Sequence, residues 1–235
     1  MASAVRAAAP AAQPTRHDRL KAATDQAHAQ AEAHPFIVGL LAAKPAQRAA
    51  LLPSYQQHLT DEHLVHSTLE HRVLARQENA FVRAHTDAGR FVASKLQEDI
   101  EVLGGRDAPS PPAKAFAAYI AGCSDLELSA VARTLVLARA FGGGFLKTPV
   151  QSVFGAVRSY EHKGVVGTNE LRFAINRMSL SDKQEAEFIG AARLTFAYSE
   201  AMFESAYTAD YDCFSRAFRS CWRWMSEPTP TPHAA

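Results

Sequence analysis

Residues 20–36 of the chain read LKAATDQAHAQAEAHPF, a stretch that fits an α-helix with one distinctive face. Residues three, four or seven apart stack on the same side of a helix. The side chains that share this face are Lys21, Thr24, His28 and Glu32. Alanines flank His28 in the sequence, and their small side chains leave room for a flat, wide ligand to approach the imidazole.

His28 is the candidate metal ligand on this face. Glu32, one turn later, can accept a hydrogen bond from the ring nitrogen that points away from a metal, which fixes the tautomer of the histidine. Lys21, two turns earlier, can pair with a carboxylate at the ligand's edge. A flat ligand with a metal at its centre and acid groups at its rim is heme, so the stretch predicts a heme site. The alternative is an ordinary surface or core histidine.

Size, charge and cysteine content indicate a soluble globular protein. The 235 residues are 47% hydrophobic and 21% charged, which is enough for a sizeable core. There are 25 lysines and arginines against 24 aspartates and glutamates, so the net charge of +1 argues against nucleic acid as the main partner. The three cysteines, Cys123, Cys213 and Cys221, are scattered, which is typical of a reducing compartment. We therefore expect a cytoplasmic protein.

The two ends of the chain are predicted to be disordered tails. Residues 1–16 lack acidic side chains and carry Arg6 and Arg16. They could instead be a transit peptide, which would place the protein in a mitochondrion or plastid. Residues 226–235 read SEPTPTPHAA, a composition typical of disorder. Residues 17–225 would then form one domain.

Hydrophobic residues in this domain recur with periods of three and four, and runs of alternating β-branched residues are absent. Pro35 is expected to close the first helix. The predicted helices lie at about 17–33, 46–78, 83–103, 111–121, 125–147, 150–159, 168–177, 181–208 and 210–225. The expected fold is an all-α, single-domain multi-helix bundle.

The second predicted helix is rich in histidine. His63, His66 and Glu70 fall on one face, so a di-iron site is conceivable if another helix supplies further carboxylates. The favoured interpretation is a polar outer face, because histidines are simply common there: His58, His63, His66 and His71.

Residues 135–150 read LVLARAFGGGFLKTPV, an apolar run interrupted by Gly142, Gly143 and Gly144. Each glycine costs about 1 kcal/mol relative to alanine inside a helix, so three together should break or bend it. Bare backbone would also let a flat ligand lie against the helix. The alternative is a helix end followed by a new helix after Pro149.

Two C-terminal segments could contact apolar partners. The helix predicted at 181–208 carries an aromatic and aliphatic stripe that is expected to be core, with Phe196 and Phe203 as candidates to line a pocket. Residues 213–225, CFSRAFRSCWRWM, alternate arginines with aromatic residues, so they could rest on a membrane surface or pack on the domain.

From Arg19 to Tyr207 the chain resembles the heme oxygenase family. The resemblance rests on four segments: LKAATDQAHAQAE, KLQEDIEVLGG (95–105), SDLELSAVARTLVLARAFGGGFL (124–146), and RFAINRMSLS followed by TFAYSEAMFESAY. It implies an all-α fold that binds heme between a proximal and a distal helix. It makes His28 the axial ligand, Glu32 its hydrogen-bonding partner and Lys21 a residue that binds a heme propionate.

The resemblance also assigns residues on the distal helix. Gly143 and Gly144 match the glycine pair that lies over the heme, with Gly142 beside them. The sequence departs from the family where a glycine and an aspartate are replaced by Arg139 and Ala140. That aspartate organises water for proton delivery, and alanine has no polar side chain to do so.

Two further departures concern the propionates. A tyrosine that usually reaches a propionate is replaced by Thr134. The family's second basic cluster falls near Leu171 and Ile175, and Arg172 or Arg177 would substitute for it if the register shifts.

The resemblance implies oxidative opening of heme to biliverdin, carbon monoxide and ferrous iron. Dioxygen would be the co-substrate, and electrons would come from an external reductase or ferredoxin. In this hypothesis Arg139, or backbone groups around Gly142 and Gly143, order water in place of the missing aspartate. A second hypothesis is a heme carrier, sensor or peroxidase-like protein of the same fold that leaves the ring intact. A third is a di-iron oxidase on a related scaffold.

Overall fold

The computed structural model describes residues 13–86, 90–155, 157–161 and 168–208, and all regular structure in these ranges is helical. The predicted all-α class is confirmed. The helices are α1 (Arg16–Glu32), α2 (Pro35–Ala42), α3 (Arg48–Leu74), α4 (Ala80–His85), α5 (Ala93–Leu103), α6 (Pro111–Gly122), α7 (Asp125–Phe154), α8 (Thr168–Phe173) and α9 (Asp182–Thr208). Short 3₁₀ turns lie at Pro45–Gln47, Arg158–Tyr160 and Ala174–Arg177.

Side chains at the helix starts explain where several helices begin. Thr15 and Asp18 form a reciprocal capping box at α1, and Ser124 does the same with Glu127 at α7. These contacts satisfy backbone N–H groups that have no partner inside the helix. Ser181 accepts a hydrogen bond from the backbone of Gln184 at 3.3 Å and so caps the start of α9.

Helix boundaries differ from the sequence-based prediction at Pro35 and between residues 83 and 103. Pro35 lies in the first turn of α2, where its missing N–H group costs no helical hydrogen bond. The sequence-based prediction did not include this short helix. The helix predicted at 83–103 is divided into α4 and α5. The Glu70 carboxylate marks the start of α5, because it accepts hydrogen bonds from the backbone of Val92 and Ala93 at 2.7 and 2.9 Å.

Helix α7 runs without interruption through Gly142, Gly143 and Gly144. The predicted break there is wrong, and so is the alternative of a new helix after Pro149, which lies inside α7. Packing of the two ends of this long helix into the core outweighs the glycine cost. Pro149 removes one hydrogen bond, to the carbonyl of Phe145, whose side chain is exposed.

Helix α9 organises the packing of the domain. It contacts α1, α3, α6 and α7, and buried apolar side chains fill the space between these helices. A second region of the core joins α2, α3 and α5 to the C-terminal end of α7. Within the described ranges the chain forms one domain, as predicted.

Several sequence-based predictions fall outside the described residues. These are the tails within residues 1–12 and 226–235, the helix at 210–225 and its possible membrane contact at 213–225. None of the helices in the described part is both long and apolar enough to span a bilayer.

Candidate functional site

A cavity of about 740 Å³ lies between α1, α3, α7 and α9. This volume is in the range of pockets that hold cofactors and other small molecules. Its walls are largely apolar, with polar side chains gathered in a few places. Helices α1 and α7 each pack against α9, and the cavity occupies the space that this leaves between them.

His28, the predicted axial ligand, lines the cavity from α1. Its side chain is 51% exposed, so the imidazole is accessible to a ligand. The ring lies edge-on to Phe196 of α9, with ring centroids 5.7 Å apart. This aromatic contact supports the imidazole on the side of α9.

The two predicted partners of His28 on α1 also line the cavity. Glu32 is a neighbour of His28, but Nδ1 and Oε2 are 3.6 Å apart, too far for the predicted hydrogen bond. The ammonium of Lys21 donates to both carboxylate oxygens of Asp25 at 2.9 Å. Lys21 must therefore leave or share Asp25 in order to bind a carboxylate in the cavity.

A group of basic side chains lines another part of the cavity: His17 of α1, Arg133 of α7 and Arg172 of α8. Arg133 Nη2 is 3.2 Å from His17 Nδ1 and donates to the Arg172 carbonyl at 3.0 Å. Arg172 Nε lies 3.1 Å from His17 Nε2. We call these three residues the basic cluster.

In the described part of the chain, neither arginine of the basic cluster forms an ion pair with a carboxylate. A guanidinium only donates hydrogen bonds, and a neutral imidazole accepts at one nitrogen, so His17 can satisfy only one of the two arginines at a time. Burial, with the charge of Arg172, lowers the pKa of Arg133 to about 10. Burial and the charge of Arg133 also lower the pKa of His17, which favours its neutral form.

Among the described residues no carboxylate lies within ion-pair distance of Arg133 or Arg172, and Arg133 Nε is buried without a partner. An unpaired buried charge is costly, so this end of the cavity favours an anionic ligand.

Helix α7 contributes to the cavity wall most of the residues that were predicted to lie against the face of the heme. Gly142 and Gly143 line the cavity, and a Cβ added at Gly142 would meet no atom within 4 Å. Gly144 is exposed and does not line the cavity. Thr134 does line it, but its hydroxyl donates to the Ala130 carbonyl at 2.9 Å.

Arg139 lines the cavity and forms a buried ion pair that the sequence reading did not predict. Its Nη2 is 2.5 Å from Glu62 Oε2 on α3. His66 Nε2 lies 3.4 Å from the same carboxylate oxygen. Histidines 58 and 66 are buried, so the predicted polar outer face of this helix is wrong for both.

The remaining predicted site residues divide into two groups. Phe196 and Phe203 line the cavity from α9. Arg172 lines it too, while Leu171 and Ile175 are buried in the core. Arg177 is exposed in the Ala174–Arg177 turn, outside the cavity.

The suggested di-iron residues are not brought together. Glu70 binds the start of α5, and the carboxylate beside His66 is that of Glu62. In the part of the chain that the structure describes, no three potential ligands are close enough to hold a metal ion.

Three residues of the site were missed, although the sequence contained a signal for each. His17 lies four residues before Lys21 and so extends the face of His28 by one turn. Arg133 is a charged residue inside a run of apolar positions, which is typical of a buried functional group. Glu62 lies four residues from both His58 and His66, but its partner Arg139 is 77 positions away and cannot be found from local spacing.

Comparison with known proteins identifies one matching sequence family and several solved structures with a similar fold. Two solved structures from the cyanobacterium Synechocystis are similar to this chain. Heme oxygenase-1 in complex with heme is 16% identical with a TM-score of 0.71, covering 90% of this chain and 98% of that one. Heme oxygenase-2 in complex with heme and NO is 18% identical with a TM-score of 0.77, covering 92% and 94%.

A third similar structure is the heme oxygenase of Leptospira interrogans, which is 16% identical with a TM-score of 0.70 and covers 82% of this chain and 100% of that one. At these identities the likeness shows the fold. No curated protein sequence matches the chain. The sequence profile of heme oxygenases matches residues 15–205, which include every residue that lines the cavity. This match, the fold and the position of His28 agree, and the chain belongs to the heme oxygenase family.

Proposed function

We propose that the protein is a heme oxygenase that binds heme in the cavity between α1 and α7. It would open the ring to biliverdin, carbon monoxide and ferrous iron, using dioxygen and electrons from an external reductase or ferredoxin. The observation that carries the proposal is the combination, in one cavity of about 740 Å³, of an accessible His28 with a basic cluster whose arginines pair with no carboxylate of the described residues. Heme has the matching parts, a central iron and two carboxylates at its rim.

The fit of heme to these residues can be argued from charge. Two propionates would supply the negative charge that Arg133 and Arg172 lack, and they could accept the hydrogen bonds that His17 cannot. Lys21, from α1, would add a further cation at the rim if it releases Asp25. His28 would hold the iron through Nε2 while Nδ1 faces Glu32.

The protein's own groups would then orient the substrate and control its surroundings. Bound heme would supply the iron at which dioxygen is activated, and its ring is also what is oxidised. Gly142 and Gly143 would let the ring approach the α7 backbone, and Phe196 and Phe203 would exclude water from its apolar edge. Arg139 directly precedes Ala140, the residue at the position of the absent aspartate, and it lines the cavity.

A second candidate function is heme binding without ring opening. The replacement of the family's aspartate by Ala140 favours it, because alanine cannot order water through its side chain. The two functions differ in product. With NADPH and a reductase, conversion of bound hemin to biliverdin supports the first, and a stable bound heme supports the second.

The first prediction concerns the axial ligand. Purified protein titrated with hemin should give the absorbance spectrum of histidine-ligated heme, and His28→Ala should abolish or reshape it because the ligand is lost. His63→Ala is the matched control, since His63 does not line the cavity. An unchanged spectrum in His28→Ala would contradict the proposed site.

The second prediction concerns the basic cluster. Hemin should bind more tightly than hemin dimethyl ester, whose carboxylates are blocked, and Arg172→Met should weaken hemin binding about tenfold or more because a charge-assisted hydrogen bond is lost. Arg177→Met serves as the control, because Arg177 lies outside the cavity. Equal affinities for hemin and its ester would show that the carboxylates do not bind there.

The third prediction separates Gly142 from Gly144. Alanine at either position should stabilise α7 by about 1 kcal/mol, because glycine is a poor helix former and neither added Cβ meets another atom within 4 Å. Only Gly142→Ala should weaken hemin binding, because only Gly142 lines the cavity. Thermal unfolding and hemin titration of both variants measure the two effects. Equal hemin affinity in both would contradict the close approach of the ring to α7.

A further inference from the structure

Side chains from α3 and α7 form a second polar group in the cavity wall, apart from the basic cluster. Its members are His58, Glu62 and His66 of α3, and Arg139 of α7. The three α3 residues are spaced by four positions and share one face of the helix. Arg139 lies six residues after Arg133, roughly 9 Å further along α7. We call these four residues the Glu62 cluster.

Charge distinguishes the Glu62 cluster from the basic cluster. Burial opposes ionisation of Glu62, but the charge of Arg139 and the hydrogen bond from His66 hold the pKa of the carboxyl well below its usual range. Burial likewise opposes the charge of Arg139, and Glu62 overcomes it and raises the pKa of the guanidinium. The pair is therefore ionised and neutral overall, so it does not require a carboxylate of the ligand.

The guanidinium of Arg139 is fixed on several sides. Its side chain is only 8% exposed. Nη2 donates to Glu62 at 2.5 Å, Nη1 donates to the Ser159 carbonyl at 3.3 Å, and the cation lies 5.4 Å from the ring centroid of Tyr160. These two hydrogen bonds use two of the five N–H donors of a guanidinium. The others can serve a small acceptor inside the cavity.

A second observation points to a small polar ligand in this wall. His58 is 6% exposed, and its Nδ1 is buried with no hydrogen-bond partner in the described part of the chain. Burial lowers the pKa of His58 to about 4, so the ring is neutral and has one donor and one acceptor nitrogen. A buried polar atom without a partner is uncommon and often marks a site for water or another small ligand.

We propose that Glu62 is a positioning residue, which fixes Arg139 so that the guanidinium donates to a small anionic or polar ligand between α7 and bound heme. Glu62 acts through Arg139 and also holds His66 at the same wall. The inference rests on the proposed function, because the ligand would occupy the side of the heme that faces away from His28. It assigns a role to a carboxylate on α3, far in sequence from the position of the family's missing aspartate.

The rival explanation is that the ion pair only joins α3 to α7. A purely structural pair would affect thermal unfolding when it is removed, without changing the affinity of a small ligand. The two roles therefore separate when stability and ligand affinity are measured on the same variants.

Fluoride is a suitable probe, because it is a small anion that binds ferric heme and responds to nearby hydrogen-bond donors. Each variant is first titrated with hemin, and the hemin complex is then titrated with sodium fluoride at fixed pH, followed by absorbance. Arg139→Met should lower fluoride affinity about tenfold or more, because it removes the charged donor. Glu62→Gln should lower it by a smaller factor, because Arg139 remains but is no longer fixed.

The double variant Glu62→Gln/Arg139→Met distinguishes positioning from an independent contribution. If Glu62 acts through Arg139, the double variant should bind fluoride no more weakly than Arg139→Met alone. It also removes both buried charges together, which is tolerated better than removing one. Arg76→Met is the matched control, because Arg76 forms a surface ion pair with Asp125 and does not line the cavity.

The outcomes separate the inference from the proposed function. If the wild-type protein binds no hemin, the proposed function fails. If hemin binds through His28 but fluoride affinity is unchanged in Arg139→Met, or in Glu62→Gln, the positioning role is overturned. Additive losses in the double variant also overturn it. Should Glu62→Gln fail to fold, Glu62→Asp is the substitute, because it keeps the charge on a shorter side chain. If Glu62→Asp lowers the thermal stability but leaves the fluoride affinity unchanged, the role of Glu62 is structural.

Discussion

Helix α9 packs against both α1 and α7, and this arrangement sets the distance between these two walls of the cavity. Buried apolar residues of α9 lie in one cluster with Leu20 of α1 and Ala130 of α7. Because both contacts are made by apolar side chains, they are satisfied without any ligand. The cavity is thus part of the packed fold, and His28, Gly142 and Gly143 face a space that already exists.

The two cavity-lining arginines of α7 show how one helix can carry two kinds of charged site. Arg139 has a carboxylate partner at 2.5 Å, and its charge is balanced within the protein. Among the described residues, Arg133 has only His17 and a carbonyl as hydrogen-bond partners, and no carboxylate there balances its charge. A ligand with acid groups would therefore be oriented, with its rim toward Arg133 and its less polar part toward the middle of α7. Orientation of this kind matters for a reaction that must attack one edge of a ring.

The sequence predicts the parts of this protein that depend on local pattern. The all-α class follows from periods of three and four, and the position of His28 in the cavity follows from spacing within α1. Local patterns do not predict the features that tertiary packing determines. The glycines at 142–144 have a low helix propensity, yet α7 continues through them because its two ends are held in separate parts of the core. The pairing of Glu62 with Arg139 joins distant segments, so no local pattern could predict it.

The most direct measurement of the central claim is a crystal structure of the protein grown with hemin. The account predicts iron bound to Nε2 of His28, the ring between α1 and the Gly142–Gly143 backbone, and propionates at Arg133 and Arg172. It also predicts that Arg139 remains paired with Glu62 on the far side of the ring. Iron bound to another side chain, or propionates directed away from the basic cluster, would contradict it.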